Sequence, residues 1–369
     1  MSIARTAKAT VIANVLADLD EVINGNYLPT SYDADNKGRI TRWAAMAIKA
    51  KIYLFEGNWT QVKNITSTIM TEGGFKLFGS YAGLFEIANE YNSEVILDAQ
   101  YRPTSREHQM MYVFLPPTLG GYSQLSPLQE LVDSYIMLDG KTIKETGTSF
   151  DENHPYANRD PRLKATVMYT GNSYTLADGT EVVINCEKGE GKDGYGVGSD
   201  CSATGYYIKK YWDNTYRATL YSGLNPILIR YADILLMNAE ALAELGELDK
   251  TAWDATIKPI RDRAGFTLAS AVEFPEGASK DKLIEIVRNE RRSELALEGH
   301  RHKDIIRWRI ADNVLNGWCH GLKTNDVVGT DDGYVRVENR TFNANRHYLW
   351  PIPQAERDLN GNLEQNPNW

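Results

Sequence analysis

The chain has 369 residues, 42% of them hydrophobic and 24% charged, a globular balance that excludes a disordered or low-complexity protein. Its 49 acidic residues outnumber 40 basic ones, for a formal charge of −9. That excess argues against a nucleic-acid partner, because such affinity depends on Lys and Arg neutralising phosphates. No apolar run approaches the roughly 20 residues of a transmembrane helix, and even 231–245 is interrupted by Asp233, Asn238, Glu240 and Glu244.

Residues 3–24 predict an amphipathic helix with Ile3, Val11, Ile12, Val15, Leu16, Leu19, Val22 and Ile23 on its apolar side, stopped by the turn-forming run 24–29. A second helix follows Gly38, with Thr41 as N-cap. It places Trp43, Met46, Ala47, Ala50, Tyr53 and Leu54 at spacings of three and four and closes at Gly57. Trp59 opens a partner helix that runs to about Thr71. Helix, glycine turn, helix is the plan of tetratricopeptide (TPR) repeats, whose units cover their apolar faces only by stacking on neighbours.

Beyond residue 111 the character changes. Gly120-Gly121-Tyr122, Asp139-Gly140, the run Asn158 to Arg162, Asp178-Gly179 and the glycine-rich 189–198 mark turns, and 165–169 and 181–184 read as short strands. The helical plan returns at 230–245, Gly246 and 253–264. Superposing Gly57 on Gly246 brings Ala50 onto Ala239, Tyr53 onto Leu242 and Trp59 onto Leu248. A further helical pair, 280–298 and 300–310, meets at Gly299, and residues 312–348 read as irregular. The chain therefore divides into helices at 1–111, a loop-rich part at 112–222, helices at 223–311 and an irregular closing segment at 312–369.

Three stretches carry an identity. They are Ile229-Arg230-Tyr231-Ala232-Asp233-Ile234-Leu235-Leu236 with Ala239-Glu240-Ala241-Leu242; Glu290-Arg291-Arg292-Ser293-Glu294-Leu295 with Glu298-Gly299, Arg301, Asp304, Arg307 and Trp308; and Leu349-Trp350-Pro351-Ile352-Pro353 with Asn362, Leu363, Gln365, Asn366 and Pro367. In that order they resemble the C-terminal signatures of the SusD/RagB family, nutrient-capturing and usually glycan-binding proteins of the Bacteroidetes surface. The resemblance implies a mainly α fold: a TPR-like helical-repeat scaffold mounting an irregular, loop-rich subdomain with short β-strands. It also implies binding without chemistry or cofactor, in which an oligosaccharide or polysaccharide is captured at the outer membrane and delivered to a SusC-like TonB-dependent transporter. Family members carry a secretory signal ending in a lipidated cysteine. Here the first cysteine is Cys186, so the expectation is a chain lacking the family's N-terminal part. Two other classes compete: a TPR-type scaffold that grips a peptide or protein without sugar, and an enzyme built on the Glu/His run.

The candidate residues fall into three groups. Glu290, Arg291, Glu294, Glu298, Arg301, Asp304 and Arg307 read as a structural ion network paired at i,i+3: Arg291 with Glu294, Glu298 with Arg301, Arg301 with Asp304, and Asp304 with Arg307. Glu298, His300 and His302 lack a second cluster of metal-ligand spacing, so no metal is expected. If the protein is exported, as the resemblance implies, Cys186 and Cys201 are candidates for a disulfide closing the loop 187–200, which would stabilise by about 3 kcal/mol. Sugar recognition needs aromatic faces beside hydrogen-bonding side chains. Among 21 Tyr and 8 Trp, those on helical faces read as core. The aromatics among turn residues are the ligand-binding candidates: Tyr122, Tyr156 with Asn158, Tyr174, Tyr195, Trp212 and Tyr216.

Overall fold

The computed structural model describes residues 3–369. The N-terminal helices are α1 (Lys8–Asn24), α2 (Arg42–Glu56) and α3 (Trp59–Glu72). Short helices α4 (Met110–Phe114), α5 (Gln129–Ser134) and α6 (Pro161–Thr166) punctuate the loop-rich middle. The C-terminal half carries α7 (Tyr231–Leu245), α8 (Lys250–Ala255), α9 (Ile257–Ala264), α10 (Ala269–Val272), α11 (Lys280–Glu294), α12 (Arg301–Arg307), α13 (Ala311–Val314) and α14 (Gln354–Leu359). Strands are few and short: β1 (Val95–Asp98), β2 (Val167–Met168), β3 (Ser173–Thr175), β4 (Glu181–Val183), β5 (Tyr207–Ile208), β6 (Ile227–Arg230), β7 (Gly317–Lys323), β8 (Thr330–Asp331) and β9 (Tyr334–Arg340). The fold is mainly α-helical.

The helix starts follow from capping. The Thr41 hydroxyl accepts from the Ala44 N–H at 3.2 Å at the head of α2, and the Asn58 side chain accepts from the Gln61 N–H at 3.3 Å at the head of α3. Gly57 ends α2 at φ 70° and Gly246 ends α7 at φ 75°, the left-handed conformation that lets a chain reverse at once. The two turns match residue for residue. Asn58 donates to the Tyr53 carbonyl at 2.9 Å, and Glu247 donates to the Leu242 carbonyl at 2.8 Å. Helix α7 packs against α2, α3, α9 and α11. It buries Asp233, Asn238 and Glu240 as well as its apolar residues, as befits a helix surrounded by others.

Strands β1 and β6, β2 and β5, and β3 and β4 pair antiparallel, and β7, β9 and β8 form a three-stranded antiparallel sheet in that order. That sheet occupies 317–340, where irregular chain was expected; Gly317, Gly321 and His320 in β7 hide the alternation that marks a strand. The expected helix 253–264 is two, because Pro259 has no N–H to give the Ala255 carbonyl, so α8 stops before it and α9 starts afresh. The expected strand 165–169 begins in the end of α6, which takes Ala165 and Thr166, and only Val167 and Met168 form a strand.

The ion network is buried, but its pairing differs from the sequence reading. Glu294 meets Arg162 at 2.9 Å, Arg230 at 2.6 Å, and Arg263. Glu298 meets Lys210 at 2.6 Å and Arg230 at 2.7 Å, and Glu290 meets Arg162 and Arg261, each at 2.7 Å. Arg291 lies between Asp233 at 2.6 Å and Asp304 at 2.9 Å. Of the four expected i,i+3 pairs only Asp304 with Arg307, at 2.8 Å, forms. Glu298 and Arg301 do not share a helical face, because α11 ends at Glu294 and Leu297 turns left-handed at φ 63°. Arg291 and Glu294, both on α11, turn instead to partners on other elements. Burial alone would raise the Glu298 carboxyl, yet the Arg230 and Lys210 cations bring it down to about 2.

Candidate functional site

The loop-rich middle folds over its own core of Phe114, Leu115, Tyr135, Leu163, Tyr174 and Tyr207. Beside it opens a cleft of about 1150 Å³. Tyr156 and Tyr169 form one wall, their rings stacked at 4.0 Å with planes 18° apart. The Tyr156 hydroxyl lies 3.2 Å from that of Tyr206, which donates to Gln129 Oε1 at 2.6 Å. Tyr334, Lys323, Asn325 and Asp326 enter from the β7–β9 sheet, and Asn185, Glu187 and Lys188 from the loop after β4.

The turn after Tyr156 explains why this wall is fixed. Asn158 adopts φ 56°, a conformation that Asn tolerates better than most residues. The buried Arg159 then donates to the carbonyls of Val132 at 2.7 Å, Tyr135 at 2.8 Å and Pro155 at 2.7 Å. Arg162 reaches back to Asp160 at 2.7 Å and on to the Glu290 and Glu294 carboxylates. One turn therefore ties the aromatic wall to helix α11.

Two ion pairs cross the cleft rim, Lys323 with Glu152 at 2.9 Å and Lys188 with Asp326. Burial holds the Tyr169 phenol above its usual range, so it remains a neutral hydrogen-bonding group. Burial likewise pushes the Cys186 thiol well up, which removes it as a nucleophile. The arrangement offers stacking faces and hydrogen-bonding rim groups, a combination suited to a polyhydroxylated ring.

The sequence-derived candidates divide. Tyr156 lines the cleft, and Asn158 is exposed just beyond it. Tyr174 is fully buried and its hydroxyl donates to the Ile208 carbonyl at 2.8 Å, so it holds a strand and offers no ligand face. Tyr216 is buried too, and Tyr195 is half-buried against the same core. Trp212 leans on Tyr174 at 5.0 Å and donates its indole N–H to the Thr175 carbonyl at 3.1 Å. Tyr122 stays 38% exposed, with its ring 4.3 Å from that of Tyr112, away from the cleft. Cys186, Cys201 and Cys319 are all free: Cys186 is buried, while the Cys201 thiol faces the Lys192 carbonyl at 3.3 Å, so the expected bridge is not formed. Tyr169, Tyr206, Phe150 and Tyr334 were not anticipated. Tyr169 ends the stretch 165–169 that reads as a strand, Tyr206 stands outside the stretches marked as turns, and Tyr334 lies in the segment taken as irregular.

Known proteins share this fold and part of this sequence. The sequence profile of the SusD family matches residues 84–369. A SusD-like protein, P25, of Formosa agariphila is 27% identical over 330 residues, which span 84% of this chain and 57% of that protein. A SusD-like protein of Bacteroides ovatus is 24% identical, over 82% of this chain and 53% of its own length. The chain thus spans little more than half the length of these relatives. Among solved structures, a SusD-like carbohydrate binding protein from Bacteroides fragilis superposes with a TM-score of 0.85 at 29% identity, covering 98% of this chain and 72% of that one. A second SusD-like protein from the same species superposes with a TM-score of 0.82 at 28% identity, over 100% of this chain and 72% of its own. With the family profile matched over most of its length and the fold shared throughout, the chain belongs to the SusD family.

Proposed function

We propose that this protein binds an oligosaccharide or polysaccharide at the bacterial cell surface and passes it to a TonB-dependent transporter of the outer membrane. The observation that carries the sugar reading is the cleft wall, where the stacked Tyr156 and Tyr169 stand beside Tyr334 and a rim of Asn, Asp, Glu and Lys groups. A relative of the same fold at 29% identity is described as a carbohydrate binding protein, which supports the same ligand class. Delivery to a transporter rests on the resemblance of the C-terminal motifs, and recovery of a β-barrel protein with this chain from outer membranes tests it.

The test of sugar capture is affinity electrophoresis through gels containing polysaccharides, with the free chain as reference. By analogy with bases stacked on aromatic side chains, which contribute about 1–3 kcal/mol each, Tyr334→Ala and Tyr156→Ala each weaken retention about tenfold or more. Tyr122→Ala, away from the cleft, leaves retention unchanged. Equal retention of wild type and both cleft variants in a gel that does bind would place the sugar elsewhere.

A further inference from the structure

A second cavity, of about 540 Å³, opens between α5, α12, α13 and the start of β7. Its walls are apolar, formed by Leu128, Leu131, Leu295, Ile305, Leu315 and Trp318. Three apolar side chains on its lining remain in contact with solvent, Leu297 at 38% exposure and Val314 and Trp318 at 42% each. The cavity also holds charges, and most of them are committed. Arg291 and Asp304 bind each other at 2.9 Å, Glu130 holds His320 at 2.8 Å, and Arg340 holds Glu338 at 3.0 Å. His300 adds no charge near neutrality, because burial pushes its imidazole down to about 4.

Two guanidiniums are left over. Arg292 donates to the Glu130 backbone carbonyl but meets no carboxylate, and the Arg301 side chain makes no hydrogen bond or ion pair with any described residue. Arg301 only overlies the Trp308 ring at 5.8 Å. Burial, with Arg301's charge beside it, brings Arg292 down to about 10, and burial lowers Arg301 as well. On their other side both arginines border a shallower hollow whose nearer carboxylates are already paired, Glu244 with Arg288 at 2.9 Å and Glu285 with Lys282 at 3.2 Å. Asp281 also borders it, but lies about 16 Å up α11 from Arg292 at 1.5 Å per residue. Both arginines are partly buried. Asp304 favours the charged form of Arg301, and Glu130 and Asp133 that of Arg292, yet no carboxylate of the described residues comes within ion-pair distance of either. A planar guanidinium in this setting is suited to a carboxylate.

We propose that this cavity is a binding site for an organic carboxylate with an apolar body, the carboxylate on Arg292 and Arg301 and the body against Leu131, Leu295, Ile305 and Trp318. A bare inorganic anion would satisfy the arginines and leave the apolar walls wet. A neutral apolar molecule would fill the walls and leave the arginines bare. The site is separate from the sugar cleft and does not depend on it.

Calorimetric titration of the full 369-residue chain with 4-phenylbutyrate and with 4-phenylbutanol tests the assignment. The acid binds saturably at one site, and the alcohol binds about tenfold more weakly or less, since the charge-assisted bonds are lost. Arg301→Gln weakens the acid by a similar factor while polysaccharide retention stays unchanged, and Trp318→Ala at the partly exposed wall weakens it several-fold. Absence of saturable binding by the acid, equal affinity for the alcohol, or an unchanged Arg301→Gln titration overturns the proposal. Should Arg301→Gln fail to fold, the acid-to-alcohol comparison on the unaltered chain decides alone.

Discussion

Glu294 is the residue on which the most distant parts of the sequence converge. Its carboxylate accepts from Arg162, Arg230 and Arg263, and its backbone carbonyl accepts from Arg230 at 2.7 Å and from Tyr81 at 3.1 Å. The sequence identified Glu294 as a buried network member but assigned it a neighbour four positions or fewer away. Local spacing exposes pairs on one helix and says nothing of Arg162, 132 residues off, which only the tertiary fold brings near. The same limit explains the site: Tyr156 was legible as an aromatic beside a turn, while its stacking partner Tyr169 read as the end of a short strand and Tyr334 as loop. Because three buried guanidiniums each lose one of their carboxylate partners together, Arg162 keeping Asp160 and Glu290, Arg230 keeping Glu94 and Glu298, and Arg263 keeping Glu94, Glu294→Ala should cost about 3–5 kcal/mol of stability. Lys323→Ala, which breaks the exposed pair with Glu152, should cost under about 1 kcal/mol. Urea denaturation of the two variants separates the cases, and equal midpoints would mean that the Glu294 cluster behaves as a solvated surface.

At the level of elements, helices were legible where the chain carries its own start and stop. Thr41 and Gly57 bound α2, Asn58 heads α3, and Gly246 ends α7, each a local signal with a local cause. The β7–β9 sheet was not legible, because its register is set by pairing across the hairpin and is broken by shifts between Cys319 and His320 and again before Lys323. Gly246 isolates one such signal. A Cβ there meets nothing closer than Lys280 Cδ at 4.0 Å, so the cost of Gly246→Ala is backbone strain alone, about 1–2 kcal/mol, and Gly246→Asn should lose less because Asn visits that conformation more readily. Trp253 of α8 tests packing instead. It is fully buried and donates its indole N–H to the Val272 carbonyl at 2.9 Å, so Trp253→Ala should lose about 3–5 kcal/mol. Thermal melts order these as Trp253→Ala below Gly246→Ala below Gly246→Asn, and any inversion would mean that the turn conformation or the α8 packing differs from that described.

Across the whole molecule the ion network is what joins the loop-rich middle to the helices. Arg162 of α6 and Lys210 of the segment after β5 meet the carboxylates of α11 and its C-terminal turn, while Arg230, Arg261 and Arg263 meet them from β6 and α9. The titration of these carboxylates makes stability depend on pH with a definite sign. Burial alone would raise Glu294, Glu298, Glu290, Asp233 and Asp304, but the cations beside each hold it below the ordinary range, Glu298 at about 2. A carboxyl depressed on folding contributes stability that is fully present above its unfolded pKa of about 4 and is lost as pH falls through the folded value. Glu86, Glu90 and Asp98 run the other way, raised first by burial, and protonate more readily in the fold, so they offset a part of the loss. The network outnumbers them and is more deeply buried. His300, held down to about 4 by burial, and His108, also lowered by burial, stay neutral in the fold while they protonate in the unfolded chain. The urea midpoint should therefore begin to fall below about pH 6.5 and fall most steeply between about pH 4 and 2, and the far-ultraviolet helical signal should be lost together with the near-ultraviolet signal of the tyrosine-rich middle. A midpoint that stays level down to pH 3, or aromatic structure that melts while the helices persist, would show that these carboxylates do not hold the two parts together.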